Sequence, residues 1–476
     1  MASISVNNLP KKALQRIFEV CFQGPAVLPP RRDEERRILT QVCEKWRSII
    51  LSTPAYWSSF DFDIHWEVQH PQSLFQLAQV FFDRSEDTTP LAIFLRGSLH
   101  SNLGHDILEL IIRPHAHRIW FLSCWVTKQG LSTLIGRGLL DFSILRSIDV
   151  TIIYNSNDTI ASRIPVRHSI DFNGFRHLGP SLQRLALCIV DGIHPTDLCL
   201  QVPWGQFTRI DLDHTPTHAD AFMRIMEQSL LLEDGTFCIN FALRSYDGRA
   251  TTFRRISVPL LQRLRLRLIE PSLDARIFGK LEMPLLDDLW VERAELERVI
   301  RDMTIYEAFI LNTTIKHLTI AEFSPSMTVQ WLIPRFNYSP RLTYQEMDGV
   351  LRLTPNLTAL YLCPGVFVSP LILEKLTTGE LLPLLEKLTV SSATGWDIIC
   401  MVQRKNFVST LPYSGSSGPS ILPVALNYLG LCIMRHGLDE EDGGKLEGAL
   451  KALRLLFGYS FRHVDIPRRE SQPPTY

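Results

Sequence analysis

The chain has 476 residues, 45% of them hydrophobic and 21% charged, and a formal net charge of -1 at pH 7. This length exceeds one small hydrophobic core and predicts two or more domains or one elongated repeat array. The near-zero net charge provides no global positive field that would attract nucleic acid or anionic lipid. The sequence also contains no run of about 18 uncharged apolar residues, so we predict no membrane span.

Nine cysteines are scattered along the chain without a C-x-x-C pair. A zinc ribbon or a disulfide framework needs clustered, repeated spacing, so we expect reduced thiols. The first residues, MASISVNNLPKK, lack the apolar core of a signal peptide. These features favour a cytoplasmic or nuclear protein.

The first predicted helix follows Pro10 and ends near Gly24-Pro25. Its apolar residues recur at the spacing of one buried helix face: Leu14, Ile17, Phe18, Cys21 and Phe22. The loop GPAVLPPRR leads to a second helical pattern, EERRILTQVCEKWRSIILSTP, and a third short element contains Trp57. Three short helices cannot bury all of this apolar surface among themselves, so some is left for a partner or for the next domain.

These motifs, in this order, resemble an F-box, in the F-box-like form common in fungal proteins. The residues that carry the resemblance are Leu9-Pro10, Leu14, Ile17-Phe18, Val42-Cys43-x-x-Trp46-Arg47 and Pro54-x-x-Trp57. The match covers roughly residues 5 to 60, and its loop between the two helices is longer than in the shortest F-boxes. The resemblance implies docking on the SKP-type adaptor of a cullin–RING (SCF-type) ubiquitin ligase. By position, the adaptor-facing residues would be Leu9, Pro10, Leu14, Ile17, Phe18, Val42 and Trp46. The alternative is that these residues only pack against the rest of the chain.

A short block, apolar-x-x-apolar-x-apolar, recurs along the rest of the chain. Copies begin at Leu145, Leu182, Phe207, Leu261, Leu286, Ile315, Leu357, Leu385 and Leu426, with an earlier copy at Ala116 and a possible start at Leu91. The alternation within each block predicts a strand with one buried face, and a degenerate copy around Phe237 would fill the widest gap. Helical patterns, such as ADAFMRIMEQSLLL and ERAELERVIRDM, lie between blocks.

Strand and helix alternating at a period in the twenties resemble a leucine-rich repeat, in which each unit buries its apolar face on its neighbours. The spacing is irregular, and the asparagine or cysteine typical of that repeat is absent. We therefore predict an α/β fold: a small all-helical N-terminal F-box followed by an irregular leucine-rich-repeat-like solenoid, or horseshoe. A doubly wound α/β sheet is the architectural alternative. The predicted organisation is an F-box-like domain at 5–60, a connecting helical segment and first strand at 61–115, the solenoid at 116–457 and a partly disordered tail at 458–476.

No phosphate-binding or nucleophile motif accompanies these repeats. The close histidine pairs, His115 with His117 and His214 with His218, lack a supporting glutamate, so we predict no catalytic, cofactor or metal site. In a horseshoe, the residue between the last two apolar positions of a block faces the concave surface: Asp149, Ala186, Asp211, Arg265, Trp290, Thr319, Tyr361 and Thr389. Arg265, Trp290 and Tyr361 are of the types enriched at interface hot spots, and we predict target contacts there. Arg263, Arg265 and Arg267 form either a solvated strand face or a basic strip for an acidic peptide.

The leading interpretation is a non-catalytic substrate-recognition subunit of an SCF-type ubiquitin ligase, which binds an unknown target protein and neither nucleic acid nor membrane. A scaffold protein that does not engage a ligase is the alternative. A hydrolase or transferase on an α/β fold is disfavoured because no nucleophile, acid–base pair or phosphate loop is evident.

Overall fold

The computed structural model describes residues 9–22, 24–63, 71–96, 106–135, 141–153, 175, 178–189, 202–241, 254–269, 273–294, 315–322, 344–362, 366, 368–392, 396–410 and 424–433. The chain divides into two compact units, Met1–Thr217 and His218–Tyr476. The predicted helix ERAELERVIRDM lies almost wholly outside the described residues. The segment from 434 onward, with the predicted tail, lies outside them altogether. None of the helices in the described part of the chain is long and apolar enough to cross a membrane.

The first unit alternates helices with seven strands. Its helices are α1 Lys11–Cys21, α2 Glu35–Thr40, α3 Glu44–Leu51, α4 Pro71–Arg84 and α5 Lys128–Leu134. A 3-10 turn lies at Pro54–Trp57. A π-helical segment, Leu108–Ile112, continues through the short helix Arg113–His115 into a second 3-10 turn, Ala116–Arg118. Its strands are β1 Ala26–Leu28, β2 Ser59–Asp63, β3 Leu91–Arg96, β4 Ile119–Val126, β5 Ser147–Ile152, β6 Arg184–Ile189 and β7 Arg209–Thr217.

The second unit repeats this alternation. Its helices are α6 Ala219–Gln228, α7 Tyr344–Leu353, α8 Pro370–Thr378 and α9 Trp396–Thr410, with a 3-10 helix at Leu273–Lys280. Its main strands are β8 Asp234–Asn240, β10 Arg263–Ile269, β12 Asp288–Ala294, β13 His317–Glu322, β14 Ala359–Leu362, β15 Lys387–Ser392 and β16 Tyr428–Ile433. The short strands β9 Ile256–Ser257 and β11 Leu281–Glu282 pair separately.

Strand order in each unit follows the chain. Strands β1 to β7 pair in sequence, all parallel. Strands β8, β10 and β12 to β16 do the same in the second unit. A doubly wound sheet reverses its order at a switch point, and neither series does. The structure therefore confirms an α/β fold of parallel strands, as in a solenoid-like repeat.

The repeated block sets the core. The first residue of every copy is buried, as at Leu145, Phe207 and Leu385, and the fourth residue is buried as well. The degenerate copy around Phe237 is β8. The strand series begins earlier than Leu91, because β1 and β2 precede β3. In α6, the predicted stripe ends early: the helix stops at Gln228 and Leu230 is 55% exposed.

The N-terminal segment is not all-helical, contrary to the prediction. Residues Ala26–Leu28 form β1, which pairs in parallel with β2. The second helical pattern also divides into α2 and α3, because Cys43 adopts an extended conformation with φ -159° and ψ 168°. The Nε atom of Arg47 in α3 donates to the carbonyl of Thr40 at the end of α2, 2.9 Å away, and so ties the two helices across the break.

Candidate functional site

Helix α1 carries two apolar stripes rather than one. Leu14 and Phe18 form the buried stripe, and both are fully enclosed. Ile17 and Val20 lie beside it and are 42% and 59% exposed. Further exposed apolar side chains of this segment complete what we call the N-terminal apolar group: Pro10, Ile17, Val20, Ile38 and Val42. Ile17 and Val20 are three residues apart on α1 and are therefore neighbours on the helix surface, and adjoining exposed apolar side chains are a feature of interaction sites.

Aromatic contacts hold the helices beneath this group. The ring of Phe18 meets Trp46 edge to face, with ring centroids 5.2 Å apart, and also contacts Tyr56 at 6.5 Å. The Tyr56 hydroxyl donates to the carbonyl of Gln15 over 2.9 Å. Lys45 Nζ donates to the carbonyl of Leu9, also over 2.9 Å, and so joins the start of α3 to the residue before Pro10. The surface of α1 is therefore fixed by α3 and by the following turn.

Arg36 is a structural residue that the sequence did not reveal. Its Nε donates to the carbonyl of Tyr56 at 3.0 Å and its Nη2 to that of Gly24 at 2.7 Å, while its guanidinium lies 5.0 Å from the Phe22 ring centroid. Burial lowers the pKa of this guanidinium, and Glu34, 3.7 Å away, opposes that shift. In the charged run DEERR nothing distinguishes this arginine from its exposed neighbours.

The seven predicted adaptor-facing residues fall into three classes. Pro10, Ile17 and Val42 are exposed, and Leu9 and Trp46 are half-buried. Leu14 and Phe18 are buried within the chain, where they support the surface from beneath. Whether this surface binds an adaptor stays a prediction.

The predicted target contacts of the second unit lie on one face of its sheet. Arg265, Trp290, Thr319, Tyr361 and Thr389 occupy a single row across neighbouring strands. Arg265 stacks on Trp290, with its guanidinium carbon 4.1 Å from the ring centroid. Tyr361 lies two strands away from Trp290. Burial raises the pKa of the Tyr361 hydroxyl, and the charges of Tyr428 and Asp288 raise it further. These residues therefore share one row of the sheet, while target binding there stays a prediction.

The arginine strip of β10 pairs with two acids on the same sheet. Arg263 pairs with Asp234 at 2.9 Å, and Glu292 lies 3.5 Å from both Arg265 and Arg267. Two carboxylates therefore pair with three guanidinium groups, and the Nε atom of Arg265 has no hydrogen-bond partner among the described residues. The interpretation of the strip as a basic site for an acidic peptide stays a prediction.

In each of the two histidine pairs, one histidine makes a contact within the fold. His115 stacks on Phe82 with ring centroids 4.0 Å apart, and burial, then the charge of Arg118, lowers its pKa. His218 Nδ1 accepts from the backbone N–H of Asp220 over 3.1 Å and caps α6. Within the described ranges, no three His, Cys, Asp or Glu side chains are arranged to hold a metal ion.

Comparisons with known proteins give distant structural likenesses. No family model matches the chain, and no curated protein matches it. Among solved structures, a chain from the "Crystal structure of Rad7 and Elc1 complex in yeast" is similar, with 14% identity over 81% of this chain and 93% of that chain. The TM-score of 0.31 is too low to define a family.

Proposed function

We propose that this chain is a non-catalytic substrate-recognition subunit of an SCF-type ubiquitin ligase. Its N-terminal helices dock on an SKP-type adaptor, and its repeat sheets bind a target protein. The chain itself forms no covalent bond and needs no cofactor; it brings the target close to the ubiquitin-transferring components and raises its effective concentration there. Such a subunit works in the cytoplasm or the nucleus.

The N-terminal apolar group carries this proposal. Pro10, Ile17 and Val42 belong to the motif that resembles an F-box, and they point apolar surface toward solvent. On α1 the exposed residues Ile17 and Val20 are three positions apart, which is the spacing of apolar anchors in helix-in-groove recognition, and Val42 lies in the turn between α2 and α3. A segment without a partner would gain solubility from polar residues at these positions, so their exposure favours a docking role over packing within the chain.

The test is co-purification of the full chain with an SKP-type adaptor. Ile17→Asp combined with Val42→Asp should weaken the complex by about thirty-fold, since two interface anchors contribute about 1 kcal/mol or more each. Both side chains are exposed, so the fold should survive, whereas a change at buried Leu14 would not separate binding from folding. The matched control is Leu371→Asp, at a 55% exposed apolar residue near the start of α8.

A wild-type chain that binds no adaptor, or a complex that Ile17→Asp/Val42→Asp leaves intact, would contradict the ligase role. The first result would favour the alternative, a repeat scaffold that recognises proteins without engaging a ligase. Equal loss of binding in the Leu371→Asp control would show that the effect is not specific to the N-terminal apolar group.

A further inference from the structure

One face of the sheet in the first unit lies opposite the apolar core. A row of directly paired residues across this face is mostly polar. The row crosses six adjacent strands and consists of Asp61, Phe94, Ser123, Asp149, Ala186 and Asp211. The neighbouring residues of the same strands, such as Ile148 and Leu185, are buried on the opposite face. Directly paired residues of parallel strands share a face, so these six side chains lie on the same face, where Asp61 and Ala186 are buried and the other four are half-buried.

One end of this row is acidic. Asp149 and Asp211 are separated only by Ala186, whose methyl group places no cation between them. Burial raises the pKa of Asp149, and the charge of Asp211 raises it further; Arg184 and a hydrogen bond from Ser123 only partly oppose this. The cation that acts on Asp149 is Arg184, on β6.

A third carboxylate adds to this acidic end. Asp211 and Asp213 are two residues apart on β7 and therefore lie on the same face. Burial raises the pKa of the Cys188 thiol, a hydrogen bond with Thr151 opposes this, and the charges of Asp149, Asp211 and Asp213 each raise it further. The backbone N–H of Asp213 donates to Asp211 over 3.1 Å and holds these two residues in place. The arrangement concentrates negative charge on a half-buried surface.

At its other end the row terminates in Asp61, which pairs with Arg96 at 2.7 Å, and aromatic side chains lie between this end and Asp149. The rings of Phe94 and Phe121 are 4.9 Å apart, on β3 and β4. Trp125 pairs with Thr151 across β4 and β5 and lies on the same face, where it is 46% exposed. An exposed tryptophan face attracts a Lys or Arg side chain as well as an apolar one.

We propose that this face binds an extended, basic segment of the target protein, with a Lys or Arg side chain against Asp149 and Asp211 and an apolar or cationic side chain on Trp125. The inference names the class of target for the recognition role proposed above, and so rests on it. Charge complementarity selects this face over that of the second unit, where Arg263, Arg265 and Arg267 share only two carboxylates and would not attract a basic segment.

The test uses fluorescence anisotropy with the full chain and two labelled peptides. One alternates Lys and Leu, and the other alternates Glu and Leu. We expect the Lys peptide to bind, with an affinity that falls as salt is added, and the Glu peptide to bind at least tenfold more weakly. Asp149→Asn with Asp211→Asn should weaken the Lys peptide by about tenfold, because these variants keep the shape and the hydrogen bonds but remove both charges.

Trp125→Ala should weaken the same peptide independently. The control, Glu227→Gln with Glu374→Gln, removes two exposed carboxylates from helices of the second unit and should leave binding unchanged. The proposal is overturned if the Lys peptide does not bind, if the Glu peptide binds as well, or if the control loses as much affinity as Asp149→Asn/Asp211→Asn. Adaptor co-purification of the same variants separates the two proposals, because these changes do not touch the N-terminal apolar group.

Discussion

Lys405 makes the stability of the second unit depend on pH. This side chain is on α9 and has no exposed surface. Its Nζ donates to the carbonyl of Leu376 over 3.1 Å. Leu376 is in the last turn of α8, where backbone carbonyls lack intrahelical partners, so Lys405 caps that helix from within the core.

Burial lowers the pKa of Lys405 from 10.5 to about 8. A lysine whose folded pKa lies below its unfolded value holds fewer protons in the folded state between those two values, so the free energy of unfolding rises with pH across that interval. The pKa difference of about 2.5 corresponds to roughly 3 kcal/mol, a little under half of which is reached by pH 9.

The assay compares urea unfolding of the wild type and Lys405→Met from pH 7 to pH 10. Methionine removes the titrating amine. Subtracting the free energy of unfolding of the variant from that of the wild type therefore cancels the contributions of the other titrating lysines and tyrosines. We expect the difference between wild type and variant to shift in favour of the wild type by about 2 kcal/mol or more over this range. A difference that stays constant with pH would refute the assignment of a buried, partly desolvated charge at this position.

Three further predictions concern single positions. Phe18→Ala should lower the free energy of unfolding of the first unit by about 3–5 kcal/mol, measured in urea, because its ring is fully buried; a cost below about 1 kcal/mol would contradict that packing. Gly235→Ala should cost about 1–3 kcal/mol in the same assay, because a Cβ there would lie 2.7 Å from a ring carbon of buried Phe237. Asp149→Asn should stabilise the first unit by about 0.5 kcal/mol at pH 7. Because the folded pKa of Asp149 is raised, this gain should disappear as the pH falls below the ordinary aspartate value, and a gain that persists in acid would contradict it.

The strand pattern was predictable from the sequence because each block carries its own evidence. Alternation with period two defines which side chains turn inward, and most strands begin two residues after the first apolar residue of the block, as β5 does at Ser147 after Leu145. The row that contains Arg265 and Trp290 follows from the register of these blocks. The contact between the two side chains and the neutralising role of Glu292 do not, because they depend on which strands become neighbours.

The local sequence pattern did not predict the structure where the decisive contact involves residues distant in sequence. Strand β1 has three residues in a proline-rich loop and exists only because β2, more than thirty positions later, pairs with it. The apolar residues of α1 form one group in the sequence, but Phe18 is buried and Ile17 is exposed. Trp46 and Tyr56 decide that division, and no helical periodicity can assign their positions.

The chain-ordered pairing of strands has a consequence for synthesis on the ribosome. In the main strand series of each unit, a strand pairs with the members directly before and after it in that series, so it waits only for the next repeat to be translated. Each new strand can add to the edge that its predecessor has just formed, and its apolar residues are covered as they emerge. Nascent chains of increasing length should therefore gain protection from proteolysis one repeat at a time.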